Sequence, residues 1–258
     1  MIVCKSRAEL EKMHRAGMVV WEILNELRAM AQPGISTMEL DQHAERRSAE
    51  HKVRPAFKNY RGYPATLCTS INAEVVHGIP SKNRRLAEGD ILSIDFGVEC
   101  DGYYGDAAVT VPVGEISPEQ SRLLQVTREA LDLAIDKVRV GNRLSDISAA
   151  VQEWAERKHG YSVVRDLCGH GIGTQMHEEP NVLNYGEPGR GPRLQEGMVF
   201  AIEPMVNAGG YQIAVLDDEW TAVTADGSNS AHFEHTVAVT ADGPWILTRP
   251  RDMQGPSW

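Results

Sequence analysis

The stretch LQEGMVFAIEP, Leu194–Pro204, decides how the rest of the chain is read. Val199, Phe200, Ala201 and Ile202 make an apolar run that reads as a buried strand, and the run ends on Glu203. A carboxylate carried on such a run is costly to desolvate unless a cation or a hydrogen-bond donor meets it. Earlier in the chain LAEGDILSIDF, Leu86–Phe96, follows the same pattern: Leu, any residue, Glu-Gly, any residue, aliphatic, bulky apolar, small, Ile, acid. Asp95 falls where Glu203 falls. His77-Gly78-Ile79 precedes the first of these strands and His170-Gly171-Ile172 the second. The pattern is that of one unit used twice, each copy aiming a histidine and a carboxylate at a shared centre.

The elements around the two strands repeat as well. Residues 7–30 carry Leu10, Met13, Val20, Ile23, Leu24 and Leu27 at helical spacing, and Pro33-Gly34 breaks that helix. Ser36 and Glu39 form a capping-box pattern that opens a second helix to about His51. Ser117-Pro-Glu-Gln120 opens a third, with proline at the first helical position, which runs to about Val138 and stops near Gly141. Ser145 or Asp146 opens a fourth that ends before Gly160, and strands return from Tyr161. Each half reads helix, helix, strands, His-Gly-Ile, acid-bearing strand. With no low-complexity tract or long linker between them, residues 1–258 are expected to form one α/β domain with pseudo-symmetric halves of about 1–115 and 116–258.

Composition sets the class. A chain of 258 residues with 42% hydrophobic residues, 23 Gly and 13 Pro is that of an ordinary soluble globular protein, and no apolar run approaches the length of a membrane span. The N-terminal segment turns charged and helical at once, unlike a signal peptide. Cys4, Cys68, Cys100 and Cys168 lie far apart with no CxxC pair, which favours a reduced cytoplasm over disulfides or a thiolate zinc site. A net charge of −10 argues against general nucleic-acid binding while allowing a local basic contact at Lys82, Arg84 and Arg85.

Two further acids join the pair. A hairpin turning through Gly102-Tyr-Tyr-Gly105 would bring Asp106 beside Asp95, and Glu234 heads the alternating strand that follows Glu203. Asp101 or Asp106 alone reads as an Asp-Gly turn residue, Glu234 alone as a solvated strand residue, and His170 alone as a polar loop residue. Four converging carboxylates repel one another unless cations sit between them. With His170 they make an oxygen-and-nitrogen set suited to Mn, Fe, Co or Zn rather than calcium. Acids bridging two ions about 3.5–4 Å apart are typical of two-metal hydrolytic sites. Gly169, Gly171 and Gly173 exclude a helix around His170, hence an HExxH zincin, and are expected to let backbone approach a ligand closely. His177 then reads as a donor to a developing oxyanion, and His77 as reaching the substrate from the other half.

The segments NAEVVHGIP (72–80), SIDFG (93–97), DGYYGD (101–106), CGHGIGTQMHEEP (168–180), AIEPM (201–205) and FEHT (233–236) together resemble the type I methionine aminopeptidases, in order and spacing, over almost the whole chain. That resemblance implies the pita-bread fold, a largely antiparallel α/β (α+β) architecture with pseudo-twofold halves. It implies that Asp95, Asp106, His170, Glu203 and Glu234 hold two divalent ions (Co, Mn, Fe(II) or Zn), with Asp106 and Glu234 bridging. A bridging water or hydroxide would attack the scissile carbonyl, Glu203 would shuttle the proton, His177 would donate to the carbonyl or tetrahedral intermediate, and His77 would contact the backbone at the substrate's second residue. Tyr60, Tyr63, Cys68, Met176 and Trp220, with Phe57 nearby, would line the methionine pocket, soft and aromatic groups that suit a thioether. The chain departs from the family pattern at Phe57, where cysteine is frequent, and at Met176, where an aromatic is frequent; both keep the pocket apolar.

The implied activity is removal of initiator methionine from nascent chains with a small second residue. The chain is similar to the bacterial form, a cytoplasmic monomer working near the ribosome. An X-Pro dipeptidase or aminopeptidase P shares the fold and ligands but usually carries an extra N-terminal domain, for which the early start of the catalytic pattern leaves no room. A type II enzyme would need a helical insertion between His177 and Glu234. A non-catalytic binding module of this fold would have lost ligands that are all present here.

Overall fold

The helices form where apolar spacing and caps place them in a computed structural model that describes residues 2–253, 255, 256 and 258. Helix α1, Arg7–Met30, buries Leu10, Met13, Val20, Ile23, Leu24 and Leu27 on one face, and Ser6 and Glu9 close a capping box at its start. Helix α2, Thr37–His51, begins on the Ser36–Glu39 box, and α3, Pro118–Ile135, on the Ser117–Gln120 box. Each box satisfies two backbone donors that the first helical turn leaves open.

Helix α4, Leu144–Gln152, departs from expectation: its N-cap is Arg143, not Ser145 or Asp146. Asp146 accepts the Arg143 backbone N–H from the third helical position, while the Ser145 hydroxyl donates to the Arg190 carbonyl. The acid that looks like a cap is instead the third helical residue, reaching back to the backbone of the cap. A π-helical turn, Glu153–Lys158, continues the helix.

The first half is organised by a long antiparallel hairpin, Ile91–Cys100 with Tyr103–Pro112. Its turn is Asp101-Gly102, at φ 52° and 81°, and not Gly102–Gly105; Tyr103, Tyr104 and Gly105 are already paired with Cys100, Glu99 and Val98. Asp-Gly meets the left-handed geometry a two-residue hairpin loop demands. The strand Cys68–Ile71 flanks the hairpin, with Cys68 opposite Asp95.

In the second half Val199–Ile202 is paired on one side with His235–Thr240 and on the other with Gly169–Gly171, both antiparallel. The strands Glu178–Val182 and Gly243–Ile246 complete a five-stranded sheet. The two halves join where Glu234 N–H donates to the Ala108 carbonyl at 2.8 Å and the Thr236 hydroxyl donates to the Asp106 carbonyl at 2.8 Å. The acid-bearing strands are thereby brought to a common centre. Leucines and valines of α1 and α3 pack over both halves in one continuous core that includes Phe96 and Phe200, each the neighbour or near neighbour of a site acid. Among the described residues no helix is long and apolar enough to cross a membrane.

Candidate metal centre

The five ligand candidates arrive at one place from five positions on these strands. Asp106 pairs with Gly97, two residues beyond Asp95. Alternate residues of a strand share a face, so the two aspartates are diagonal neighbours on the same side of the hairpin. Gly97 makes the space, since a Cβ there would lie 2.9 Å from Asp106 Oδ1. Glu203 and Glu234 stand immediately beyond the last ladder pair, Ile202 with His235. His170 sits opposite Ala201.

Ligand atoms of Asp106, His170 and Glu234 all lie within 4.8 Å of one another. Glu203 joins them, with Oε1 3.6 Å from His170 Nε2. Asp95 lines the same cavity. Asp106, His170 and Glu234 are buried, Asp95 and Glu203 partly so. Asp95 Oδ1, Asp106 Oδ1 and Glu234 Oε1 are buried without a hydrogen-bond partner.

Burial raises every one of these carboxyls. It lifts Asp106 to about 7. Asp95, Glu203 and Glu234 are held well above the usual carboxylate range, first by burial and then by repulsion from the Asp106 carboxylate, to which Glu203 adds for Asp95 and Glu234. Burial pushes the His170 imidazole the other way, down to about 4, so it stands neutral with a lone pair to offer. Unpartnered acid oxygens and a neutral imidazole aimed at one point form a set that a divalent ion satisfies and that otherwise has to hold protons. The residues fit such an ion.

The cavity beside them measures about 170 Å³. A cavity of about 150 Å³ lined by apolar groups accepts a molecule of benzene's size. Every residue anticipated for the methionine pocket lines it: Phe57, Tyr60, Tyr63, Cys68, Met176 and Trp220. Phe57, Tyr63, Cys68 and Met176 belong at the same time to a buried apolar cluster, so the core and pocket readings describe one wall. Tyr63 is fixed by its hydroxyl, which donates to the Leu67 and Gly78 carbonyls at 3.1 Å, and by edge contact with the Trp220 ring at 5.1 Å.

His77 and His177 line the cavity too. His177 stands at its rim, with Nδ1 2.9 Å from the Tyr60 hydroxyl and its ring 4.2 Å from that of His170. Partial desolvation and the neighbouring His170 hold it below the usual imidazole range. His77 is held at φ 62° and faces the Trp220 ring edge-on at 6.3 Å. A left-handed conformation in a residue with a Cβ is strained and persists only where the surroundings enforce it. Here the next residue is bolted down, its N–H bonded to Ser70 Oγ at 3.1 Å and its carbonyl accepting from Thr69 N–H at 2.8 Å.

The expectation that the glycines around His170 leave space for a ligand needs correction. Gly169 and Gly171 do not open space for a ligand; a Cβ at either would strike the carbonyl of Ala201 or Glu179, at 2.4 and 2.2 Å, so they admit neighbouring strands. At Gly173 the space is taken by the Lys5 side chain. The basic group at Lys82, Arg84 and Arg85 is partly neutralised, because Arg84 grips both carboxylate oxygens of Glu74 at 2.6 Å.

Two residues of the site escaped the sequence reading. Arg61 lines the mouth of the cavity, stacked over Tyr60 with its guanidinium 5.4 Å from the ring centre. His232 lies behind the carboxylates, 3.7 Å from Glu203 Oε2. The available signal was alternation, since His232 and Glu234 are two apart and share a face.

Comparisons with known proteins bear on this arrangement. Residues 11–241 match the metallopeptidase family M24. The chain is 53% identical to the methionine aminopeptidase of Clostridium acetobutylicum over 248 residues, covering 96% of this chain and 99% of that protein. It superposes on the crystal structure of methionine aminopeptidase from Thermotoga maritima with a TM-score of 0.95 at 46% identity, covering 97% of this chain and all of that one. Likeness to the prolidase of Pyrococcus horikoshii, TM-score 0.77 at 23% identity and 66% of that chain, extends to the pita-bread fold alone.

Proposed function

Because the chain belongs to metallopeptidase family M24, we propose that its five converging ligands hold two divalent ions and that it removes initiator methionine from chains whose second residue is small. It is a methionine aminopeptidase with the pita-bread fold. The observation that carries the residue-level reading is the set of unpartnered, buried carboxylate oxygens beside neutral His170, at the end of an apolar cavity.

Asp95, Asp106, His170, Glu203 and Glu234 would hold the ions, Co, Mn, Fe(II) or Zn, with Asp106 and Glu234 the candidates to serve both. When bound, the ions act as Lewis acids and activate water for attack on a carbonyl. Phe57, Tyr60, Tyr63, Cys68, Met176 and Trp220 receive the methionine side chain and exclude water from around it. Glu203, beside the reacting carbonyl, takes the proton of the attacking water and passes it to the leaving amine. With Nδ1 of His177 accepting from the Tyr60 hydroxyl, its Nε2 carries a hydrogen and donates to the carbonyl oxygen as charge develops there. His77, pinned in its strained backbone, contacts the substrate backbone at the second residue.

We read residues 1–258 as one catalytic unit of two halves, about 1–115 and 116–258. It acts as a monomer in the cytoplasm on nascent chains at the ribosome surface, a setting supported by four free cysteines. With Arg84 gripping Glu74 in a partly buried pair and Arg85 only loosely paired with Glu39 at 3.7 Å on the surface, a ribosome contact falls to Lys82 and Arg85. Loss of cosedimentation with ribosomes on neutralising these two supports the contact, and unchanged cosedimentation removes it. The second-residue rule is tested by mass spectrometry of Met-X-Ser peptides after incubation with the metal-loaded protein. Gly, Ala and Ser at X should be processed and Leu and Phe left intact; processing of Met-Leu-Ser at the rate of Met-Ala-Ser would refute the rule.

A further inference from the structure

His232 is the remaining chemically able side chain at the centre. It ends the strand Ser230–His232 and is 1% exposed, yet neither ring nitrogen has a hydrogen-bond partner. A neutral imidazole carries one N–H to give and one lone pair to receive, and leaving both unmet in a buried site is costly. The groups facing Nε2 are both site carboxylates, Glu203 Oε2 at 3.7 Å and Glu234 Oε2 at 4.0 Å. Glu203 is the nearer and is flanked on both sides: its other oxygen, Oε1, faces His170 Nε2 at 3.6 Å.

We propose that His232 is a positioning residue for the metal centre, donating its Nε2–H to Glu203 Oε2 so that Oε1 is directed to the side where His170 stands. An N–H···O bond is about 2.9 Å long, so a movement of about 1 Å by the carboxylate closes the gap. The inference rests on the reading of Glu203 as a metal ligand given above. Groups that hydrogen-bond a ligating carboxylate fix its orientation, and their loss typically weakens metal binding about 10- to 100-fold. His232 also explains why Glu203 can sit just past the end of a ladder, where no strand partner fixes its side chain: the neighbouring strand supplies an imidazole in place of one.

The test is calorimetric titration of the metal-depleted full chain with Co(II), alongside the visible absorption spectrum of the Co(II) form. His232→Leu, which removes the donor, should weaken binding about 10- to 100-fold and alter the spectrum. His232→Gln, which keeps an N–H donor, should recover most of both. In a Glu203→Gln background His232→Leu should cost no further affinity, because the acceptor it serves has already been changed. Wild-type affinity and spectrum in His232→Leu, or an undiminished loss in the Glu203→Gln background, would overturn the proposal. A His232→Gln variant as weak as His232→Leu would overturn it in favour of direct ligation. Wild-type Co(II) binding by Glu203→Gln alone would remove the metal-centre reading beneath it, a result distinct from the others. Independently of any variant, 15N NMR of the Zn(II)-loaded protein should find the His232 hydrogen on Nε2; a hydrogen on Nδ1 alone would overturn the donor role.

Discussion

Gly97 stands directly across the hairpin from Asp106, and a Cβ at Gly97 would sit 2.9 Å from the Asp106 carboxylate. Absence of a side chain at one strand position thus lets the Asp106 carboxylate lie against its own partner strand. The backbone of Gly97 is ordinary strand, so a substitution there tests space and not conformation.

Gly97→Ala is expected to displace the Asp106 carboxylate and weaken divalent-metal binding about tenfold or more, the cost of disturbing a ligand's support. Titration of the metal-depleted variant with Mn(II) measures this. Circular dichroism should show the fold retained.

The raised carboxyls make the metal-free protein sensitive to pH in a definite direction. Asp106 titrates at about 7 in the folded chain against 3.8 ordinarily, so between these values the folded state holds the proton more tightly. Its contribution to stability is complete below the ordinary value and is lost as pH rises toward about 7. In the presence of a chelator the melting temperature should therefore carry a falling component across this window. Bound metal requires the ionised form, so the stabilisation added by Mn(II) should grow across the same window. Scanning calorimetry at several pH values, with and without Mn(II), reads both trends.

Lys5 and Glu178 form a buried ion pair of 2.5 Å that ties the N-terminal segment to the loop bearing His177. Glu178 also accepts the backbone N–H groups of Thr174 and Gln175, at 2.8 and 3.2 Å. Removing one member of a buried pair leaves the other charge uncompensated, at a cost of about 3–5 kcal/mol. Because Glu178 is partly exposed and keeps its two backbone donors, Lys5→Ala is expected to lower stability by less than that in denaturant titration. In the folded fraction kcat should fall more than KM changes, because the loop it anchors positions a group that acts on the developing charge.

Much of this centre is legible in the sequence, for physical reasons that differ from residue to residue. Asp95 and Glu203 stand out because an acid that follows a buried apolar run is expensive, and the same expense occurs twice at matching positions, although Asp95 lies within the strand Ile91–Cys100 and Glu203 just past Ile202. The span of α1 is legible because its apolar periodicity, its cap and its Pro33-Gly34 stop all agree. The α4 start is not, because Asp146 at the third helical position, bonded back to the Arg143 backbone, is of the same residue type as a cap. The hairpin turn is misplaced because Gly102 and Gly105 bracket two tyrosines like a loop, and only pairing shows that Asp101-Gly102 takes it. The glycines around His170 announce a close approach without saying to what; here it is to other strands. His232 is silent because a lone histidine in an alternating strand is indistinguishable from a satisfied core residue until its partners are seen to be missing.

The most direct measurement is release of the N-terminal residue from Met-Ala-Ser by the metal-depleted chain titrated with Mn(II), Co(II), Fe(II) and Zn(II), with Met-Leu-Ser and Ala-Pro-Ala beside it and Glu203→Ala as the control. Metal-dependent cleavage of Met-Ala-Ser alone, lost in Glu203→Ala, is the expected result. Preference for Ala-Pro-Ala would contradict the methionine pocket, and cleavage of Met-Ala-Ser that survives both metal removal and Glu203→Ala would contradict the metal-centre assignment.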